Sequence, residues 1–279
     1  MLIRCWGARG SVPVSGREYL KYGGDTTCIE VRTGDGRVVI IDAGSGIRNL
    51  GKRLVAEGVR QVDLLLTHAH WDHLLGFPFF KPLYQPSMSI RVFGCPSAQS
   101  SVKNMVSDMM TPPHFPVPLK DAKAKVSFHA GCQDSFEIGP ITVTPTMLSH
   151  PNGGLGYKLV ENGRSLVFLT DNELRFQHPG GGVFDDYVRF CAGADLLMHD
   201  AEFDADQYEH TRTWGHSRFT DAVELALEAD VKALGLFHHN QDRTDGEIED
   251  IAAACRKAAI RQRPELECFA VYQGMEIRL

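Results

Sequence analysis

The sequence predicts an α/β protein made of two sheets covered by helices on their outer faces. Two observations predict it. Many short apolar segments bounded by Gly, Pro, Asp or Asn fill the chain, and they lie largely between helical stretches at 46–57 and 217–262. The strands expected are Leu2–Ala8, Thr27–Thr33, Arg37–Asp42, Val62–Thr67, Ser89–Gly94, Lys125–His129, Ile141–Met147, Gly156–Val160, Ser165–Thr170, Asp195–His199, Val231–Phe237 and Glu267–Tyr272. Helices are expected near 46–57, 98–110, 217–229 and 246–262. In the last, Ile248, Ile251, Cys255 and Ala258 form one apolar stripe, and Thr244 with Glu247 forms a capping box. The segments Thr111–Pro118 and His178–Gly182 read as surface loops because of their Pro and Gly content. No linker or repeat divides the 279 residues, so residues 1–279 read as one domain.

Composition narrows the class. Hydrophobic residues make up 43% and charged residues 23%, which excludes a disordered or fibrous chain. No apolar run is long enough to cross a bilayer, and Met1–Gly7 enters a strand-like stretch without a basic-then-apolar leader. A soluble, cytoplasmic protein is therefore expected. The seven cysteines (Cys5, Cys28, Cys95, Cys132, Cys191, Cys255 and Cys268) are odd in number and show no close pairing, which argues against a disulfide framework or a thiolate zinc knuckle. A net charge of −6 argues against a grip on long nucleic acid. The expected partner is a small substrate, with no membrane; a homodimer is a possible assembly.

The chemistry concentrates where the apolar run Val62–Thr67 ends in His68-Ala69-His70-Trp71-Asp72-His73. In an extended chain, residues two apart point the same way, so His68 and His70 can grip one ion. Asp72 and His73 fall where the chain turns into a short helix and point toward a second. Imidazole and carboxylate suit zinc, and also manganese or iron. Four ligands cannot hold two ions. Further donors stand at other strand ends: His150 after Ile141–Leu148, Asp171 after Ser165–Leu169, and His238-His239 after Val231–Phe237. A single strand-end His or Asp is ordinarily a cap or surface residue. Several with the right donor types are another matter, because stacked sheets can bring such ends to one rim.

The order His68-x-His70-x-Asp72-His73, His150, Asp171, His238 resembles the metallo-β-lactamase superfamily and spans most of the chain. The resemblance implies an αββα sandwich with two mixed sheets and a binuclear centre at one rim. It implies that His68, His70 and His150 hold one metal, that Asp72, His73 and His238 hold the other, and that Asp171 bridges them. Zinc is the first choice of ion and manganese the second. His239 stays open as a substitute for His238.

Two further stretches look like the phosphodiesterase branch, which includes ribonuclease Z and phosphoribosyl cyclic phosphate phosphodiesterases. They are Leu196-Leu197-Met198-His199-Asp200-Ala201-Glu202-Phe203 and Gly215-His216-Ser217. In this resemblance Asp200 takes a position held by Glu in ribonuclease Z, and His216 assists the leaving group while Asp200 orients it. Gly215-His216-Ser217 can equally be a turn with a helix cap. The N-terminal stretches Trp6–Ser11, Tyr22–Thr26 and Asp42–Gly46 also look like this branch, and close packing under the site accounts for their glycines. Asp42 is a candidate for fixing a ligand histidine.

The expected activity is hydrolysis of a small or cyclic phosphodiester, such as a cyclic nucleotide or cyclic ribose phosphate, by a metal-bridging hydroxide. Asp72, His216 and Asp200 are the catalytic candidates. Ribonuclease Z of the short type inserts its tRNA-clasping arm between the positions matching His150 and Asp171, and the 21-residue separation of those two here leaves no room for it. The alternatives are a ribonuclease Z-like RNA endonuclease, a (thio)ester or lactone hydrolase, and a metal-binding module without activity. Arg9, Arg175, Arg212, Arg218 and Arg243 are candidates to meet phosphate, and the loops around Phe115 and after His178 are candidate pocket walls.

Overall fold

A computed structural model describes residues 1–95, 102–131 and 135–279. Cys132 and the first residues of the helix expected at 98–110 lie outside them. Two seven-stranded sheets face each other. The first uses β1 (Leu2–Gly7), β2 (Cys28–Arg32), β3 (Val38–Ile41), β4 (Gln61–Leu65), β5 (Ser89–Gly94) and β6 (Lys125–Ala130), with the C-terminal β14 (Glu276–Arg278) added beside β1. The second runs from β7 (Phe136–Ile138) through β8 (Ile141–Met147), β9 (Leu155–Glu161), β10 (Arg164–Leu169), β11 (Leu196–Asp200) and β12 (Ala233–Phe237) to β13 (Glu267–Ala270).

Each sheet is mixed in the same way. Pairing is antiparallel from β14 to β3 and parallel from β3 to β6; it is antiparallel from β7 to β10 and parallel from β10 to β13. Strands covered on both faces must be apolar at every position, which is why Val38-Val39-Ile40-Ile41 and Leu166–Leu169 read as continuous runs. Alternate residues then separate: Val39, Ile41, Leu166 and Phe168 fill the layer between the sheets. Val38 and Ile40 turn outward onto α1 (Ile47–Ala56), and Val167 and Leu169 turn outward onto the helices of the second sheet.

Those helices include α4 (Phe184–Cys191), α6 (Phe219–Glu228) and α7 (Asp245–Gln262), whose Tyr187, Ala222, Leu225 and Cys255 pack on the sheet. The short α2 (Trp71–Leu74) follows β4, α3 (Val102–Asp108) follows β5, and α5 (Ala205–Thr211) follows β11. The αββα arrangement is the one expected.

Two strands and two helices go beyond the sequence expectations. β7 and β14 are three residues each, too short for alternation to register, and they exist because β8 and β1 offer a free edge. α4 is short, and its first turn is held by the Asp186 carboxylate, which accepts from the Val183 N–H at 2.9 Å. α5 is capped by Asp204, which accepts from the Gln207 N–H at 2.8 Å. β13 stops at Ala270 rather than reaching Tyr272. Among the described residues no helix is long and apolar enough to cross a membrane.

Candidate metal centre

The parallel strands β3, β4, β10 and β12 end at one rim, and the titratable residues follow those ends. Asp42 comes directly after β3, Asp171 follows β10 with one residue between, and His238 comes directly after β12; each has a left-handed backbone, with φ of 62°, 51° and 56°. That conformation is disfavoured for residues with a Cβ, though Asp and His tolerate it better than most. Here it turns each chain sharply at the strand end, and all three side chains are buried. After β4 the chain stays extended through His70 and then enters α2, so His68 and His70 lie on one side and Asp72 and His73 on the next turn.

The donor atoms of His68, His70, His150 and Asp171 lie within 4.8 Å of one another, and so do those of Asp72, His73, Asp171 and His238. Asp171 belongs to both groups with different oxygens. Its Oδ2 is 3.5 Å from His68 Nε2 and 3.9 Å from His150 Nε2. Its Oδ1 is 3.3 Å from His73 Nε2 and 3.4 Å from His238 Nε2. Asp72 Oδ2 stands 3.1 Å from both His73 Nε2 and His238 Nε2. A tetrahedral ion with bonds near 2 Å has donors about 3.3 Å apart, so these spacings suit a divalent cation.

The protons give the same answer. A carboxylate or carbonyl oxygen only accepts, so a histidine nitrogen bonded to one must carry the hydrogen. His73 Nδ1 donates to Asp42 Oδ2 at 2.7 Å, His150 Nδ1 to the Gly215 carbonyl at 3.0 Å, and His238 Nδ1 to Glu202 Oε2 at 2.8 Å. In the neutral ring each Nε2 then presents a lone pair to the centre. Among the described residues, Nε2 of His68 and of His73 are buried without a hydrogen-bond partner. A buried nitrogen in that state costs free energy unless something occupies it.

Charge is balanced around this point. Burial, helped by the neighbouring His73, holds His68 well below the ordinary imidazole range, and burial takes His150 down to about 3. Both are therefore neutral, as a ligand must be. Burial works against charge on Asp72 and Asp171, but His73 and His238 outweigh it and hold both carboxyls well below the usual range. The mirror effect, again against burial, raises His73 and His238. A divalent cation can replace those protons.

His216 lies at the edge of the centre, its ring stacked on His238 with centroids 4.8 Å apart. Its Nδ1 donates to Asp200 Oδ2 at 2.7 Å and lies 3.4 Å from Glu202 Oε2. Burial opposes its charge, and Glu202 and Asp200 more than offset that, lifting it to about 9. The structure thus brings together His68, His70, Asp72, His73, His150, Asp171, His238, His216 and Asp200.

His239 faces away. Its Nε2 donates to the Val271 carbonyl at 2.7 Å, and burial takes it down to about 3.

Two carboxylates matter more than the sequence revealed. Glu202 joins His238 and also accepts from Asn240 Nδ2 at 2.9 Å. Glu173, two residues past Asp171, accepts from Tyr208 Oη at 2.7 Å, the Thr213 N–H at 2.8 Å, the Gly215 N–H at 2.9 Å and His178 Nε2 at 2.8 Å. It ties the segment bearing His216 to the one bearing Asp171. That the stretch from His199 to Phe203 puts two acids two apart on one side of the chain was the available signal for Glu202. Glu173 gave none.

Of the arginines, Arg9 is fully buried and donates to the carbonyls of Gly23, Asn240 and Arg243. Arg243 is held by the Glu202 carbonyl and by Gln207. Both stabilise loops under the centre and are not free to meet phosphate. Arg175 and Arg218 pair with Asp221. Arg212 is exposed, with its guanidinium over the Phe176 ring.

Comparison with known proteins decides the family. Residues 37–239 match the model described as Beta-lactamase superfamily domain. The chain belongs to the β-lactamase superfamily and has the metallo-β-lactamase fold. Within the superfamily it is similar to the ribonuclease Z of Picrophilus torridus, 24% identical over 86% of this chain and 85% of the relative. Among solved structures it resembles the metallo-β-lactamase fold protein YhfI from Bacillus subtilis, with a TM-score of 0.71, 19% identity, and coverage of 99% and 98% of the two chains. It also resembles a diphosphatase from the PhnP family, with a TM-score of 0.68, 17% identity, and coverage of 100% and 97%. A superfamily fold with these His/Asp clusters is suited to divalent metal ions.

Proposed function

We propose that the chain is a binuclear metal-dependent phosphodiesterase acting on a small or cyclic phosphodiester, with residues 1–279 working as one domain. The observation that carries this is the division of Asp171 between two donor groups, one oxygen toward each. His68, His70 and His150 would hold one ion and Asp72, His73 and His238 the other. Three imidazoles on one side, and two imidazoles with a carboxylate on the other, favour zinc, with manganese second. When bound, such ions supply Lewis-acid stabilisation of phosphoryl charge and acidify water at neutral pH.

The chain's own residues supply the rest. His216, held at Nδ1 by Asp200 and protonated at neutral pH, offers Nε2–H to the departing oxygen. Glu202 fixes the His238 ring, which stacks on this acid and would offer its Nε2 to an ion. Gly215, anchored by Glu173, fixes His150 through its carbonyl.

A compact substrate fits the stretch between His150 and Asp171. The chain there folds back as β9 and β10 around the two-residue turn Asn162-Gly163, and no arm projects from it. The similarity to ribonuclease Z supports a second reading, cleavage of RNA. Cys5, Cys28, Cys191, Cys255 and Cys268 are free and buried, which suits a reducing compartment such as the cytoplasm.

The test is a screen of zinc- and manganese-loaded protein against 2′,3′- and 3′,5′-cyclic nucleotides, a linear phosphodiester, a precursor tRNA and a thioester. Turnover of the small phosphodiesters is expected. Turnover of the precursor tRNA alone favours the second reading, and turnover of the thioester alone contradicts both.

A further inference from the structure

The chain has three tryptophans, Trp6, Trp71 and Trp214. Trp6 is part of the scaffold, bonded through Nε1 to Glu30 at 2.9 Å and packed against the outer core. The other two stand in solvent: Trp71 is 78% exposed and Trp214 63%. Leaving an indole in water forfeits one of the largest burial gains any side chain offers. Both sit in the chain beside the donor groups.

Trp71 lies between His70 and Asp72, which belong to different donor groups. Trp214 precedes Gly215, whose carbonyl holds His150 Nδ1, and stands two residues from His216. The His70 and His150 rings are 4.8 Å apart, so the two indoles hang from backbone flanking one histidine pair. That pair also marks the way in. Every donor in the two groups is buried except His70, which is partly exposed, so solvent reaches the centre on its side. The backbone at both positions is fixed. Trp71 opens α2, and the Thr213 and Gly215 N–H groups on either side of Trp214 are held by Glu173. These are rigid mounts for two flat faces.

Positive charge near this entrance is sparse: Arg212, two residues before Trp214, is exposed with its guanidinium over the Phe176 ring. Arg9 and Arg243 are consumed by backbone carbonyls, and Arg175 and Arg218 by Asp221.

We infer that Trp71 and Trp214 form a stacking platform for an aromatic base carried by the substrate, making this a nucleoside phosphodiesterase rather than an enzyme of base-free sugar phosphates. The inference rests on the phosphodiesterase reading and narrows it to one substrate class. Base–aromatic stacking is worth about a tenfold preference or more per base and does not depend on base identity.

The experiment compares two p-nitrophenyl phosphodiesters, one of thymidine and one of abasic deoxyribose, which share the scissile bond and leaving group. The metal-loaded enzyme is expected to favour the thymidine ester about tenfold or more in kcat/KM. Trp71→Ala and Trp214→Ala are each expected to bring that ratio toward one. A ratio near one in the parent enzyme overturns the inference, as does an unchanged ratio in both variants. A second readout needs no turnover: thymidine 5′-monophosphate should quench tryptophan emission where deoxyribose 5-phosphate does not. Quenching without hydrolysis of either ester sinks the phosphodiesterase reading and leaves the platform standing; equal quenching by both phosphates overturns the platform.

Discussion

His73 Nδ1 and Asp42 Oδ2 are 2.7 Å apart, both fully buried. The same carboxylate accepts from the Thr67 hydroxyl at 2.7 Å and the Thr67 N–H at 2.8 Å, and the hydroxyl oxygen lies 3.0 Å from His68 Nδ1. One aspartate at the end of β3 therefore orients a histidine from each donor group. Burial pushes the Asp42 carboxyl up, against the pull of His73 and Thr67.

Asp42→Asn keeps the side-chain size and tolerates the left-handed backbone. An amide nitrogen turned toward His73 would push the ring into the tautomer whose Nε2 carries a proton. Metal affinity is expected to fall about 10- to 100-fold, measured by competition with a chromophoric chelator. Unchanged affinity would show that Asp42 does not set the ring.

Gly10 lies against His238. A Cβ there would stand 2.3 Å from the Cε1 and Nδ1 atoms of that ring, closer than any side chain sits to its neighbour. Gly10→Ala must move His238, and activity is expected to fall on the order of 100-fold with circular dichroism unchanged. Full activity would mean that the ring has room to retreat.

Glu173→Gln tests the hub that joins the Asp171 and His216 segments. A glutamine has one oxygen where four donors now converge, so at least one buried N–H loses its partner, at about 1–3 kcal/mol. The melting temperature is expected to drop by about 3–10 °C. A melting point equal to the parent's would remove this residue from the account.

His216→Ala is expected to retain two metal ions and to lose about 10²- to 10⁴-fold in kcat on a substrate with an alkoxide leaving group. A p-nitrophenolate needs no proton to depart, so the loss there should be small. Equal losses on both substrates would assign His216 to binding or structure instead.

The two-sheet architecture and the seven metal donors were legible because the donors follow the ends of apolar strands, and strand ends are visible as hydrophobic runs that stop; His216 and Asp200 were legible only through the family resemblance of their stretches. The sequence did not disclose what depends on backbone direction. Nothing in it says that Asp42, Asp171 and His238 leave their strands in a left-handed conformation. Glu202 was hidden beside Asp200, since either acid could reach a histidine until distances were known. Glu173 was hidden because its partners lie up to 42 residues away in the chain. Arg9 looked available for phosphate because a buried arginine bonded to carbonyls looks no different in sequence from a free one. Strands β7 and β14 were missed for a simpler reason: three residues do not make a period.

The central claim is that one carboxylate is shared by two cations, and metal content tests it most directly. Protein reconstituted with excess zinc and freed of loose metal should hold two ions per chain by native mass spectrometry. Asp171→Ala should not retain both under the same treatment. Saturation at one ion, or two ions held by Asp171→Ala as tightly as by the parent, would contradict the account.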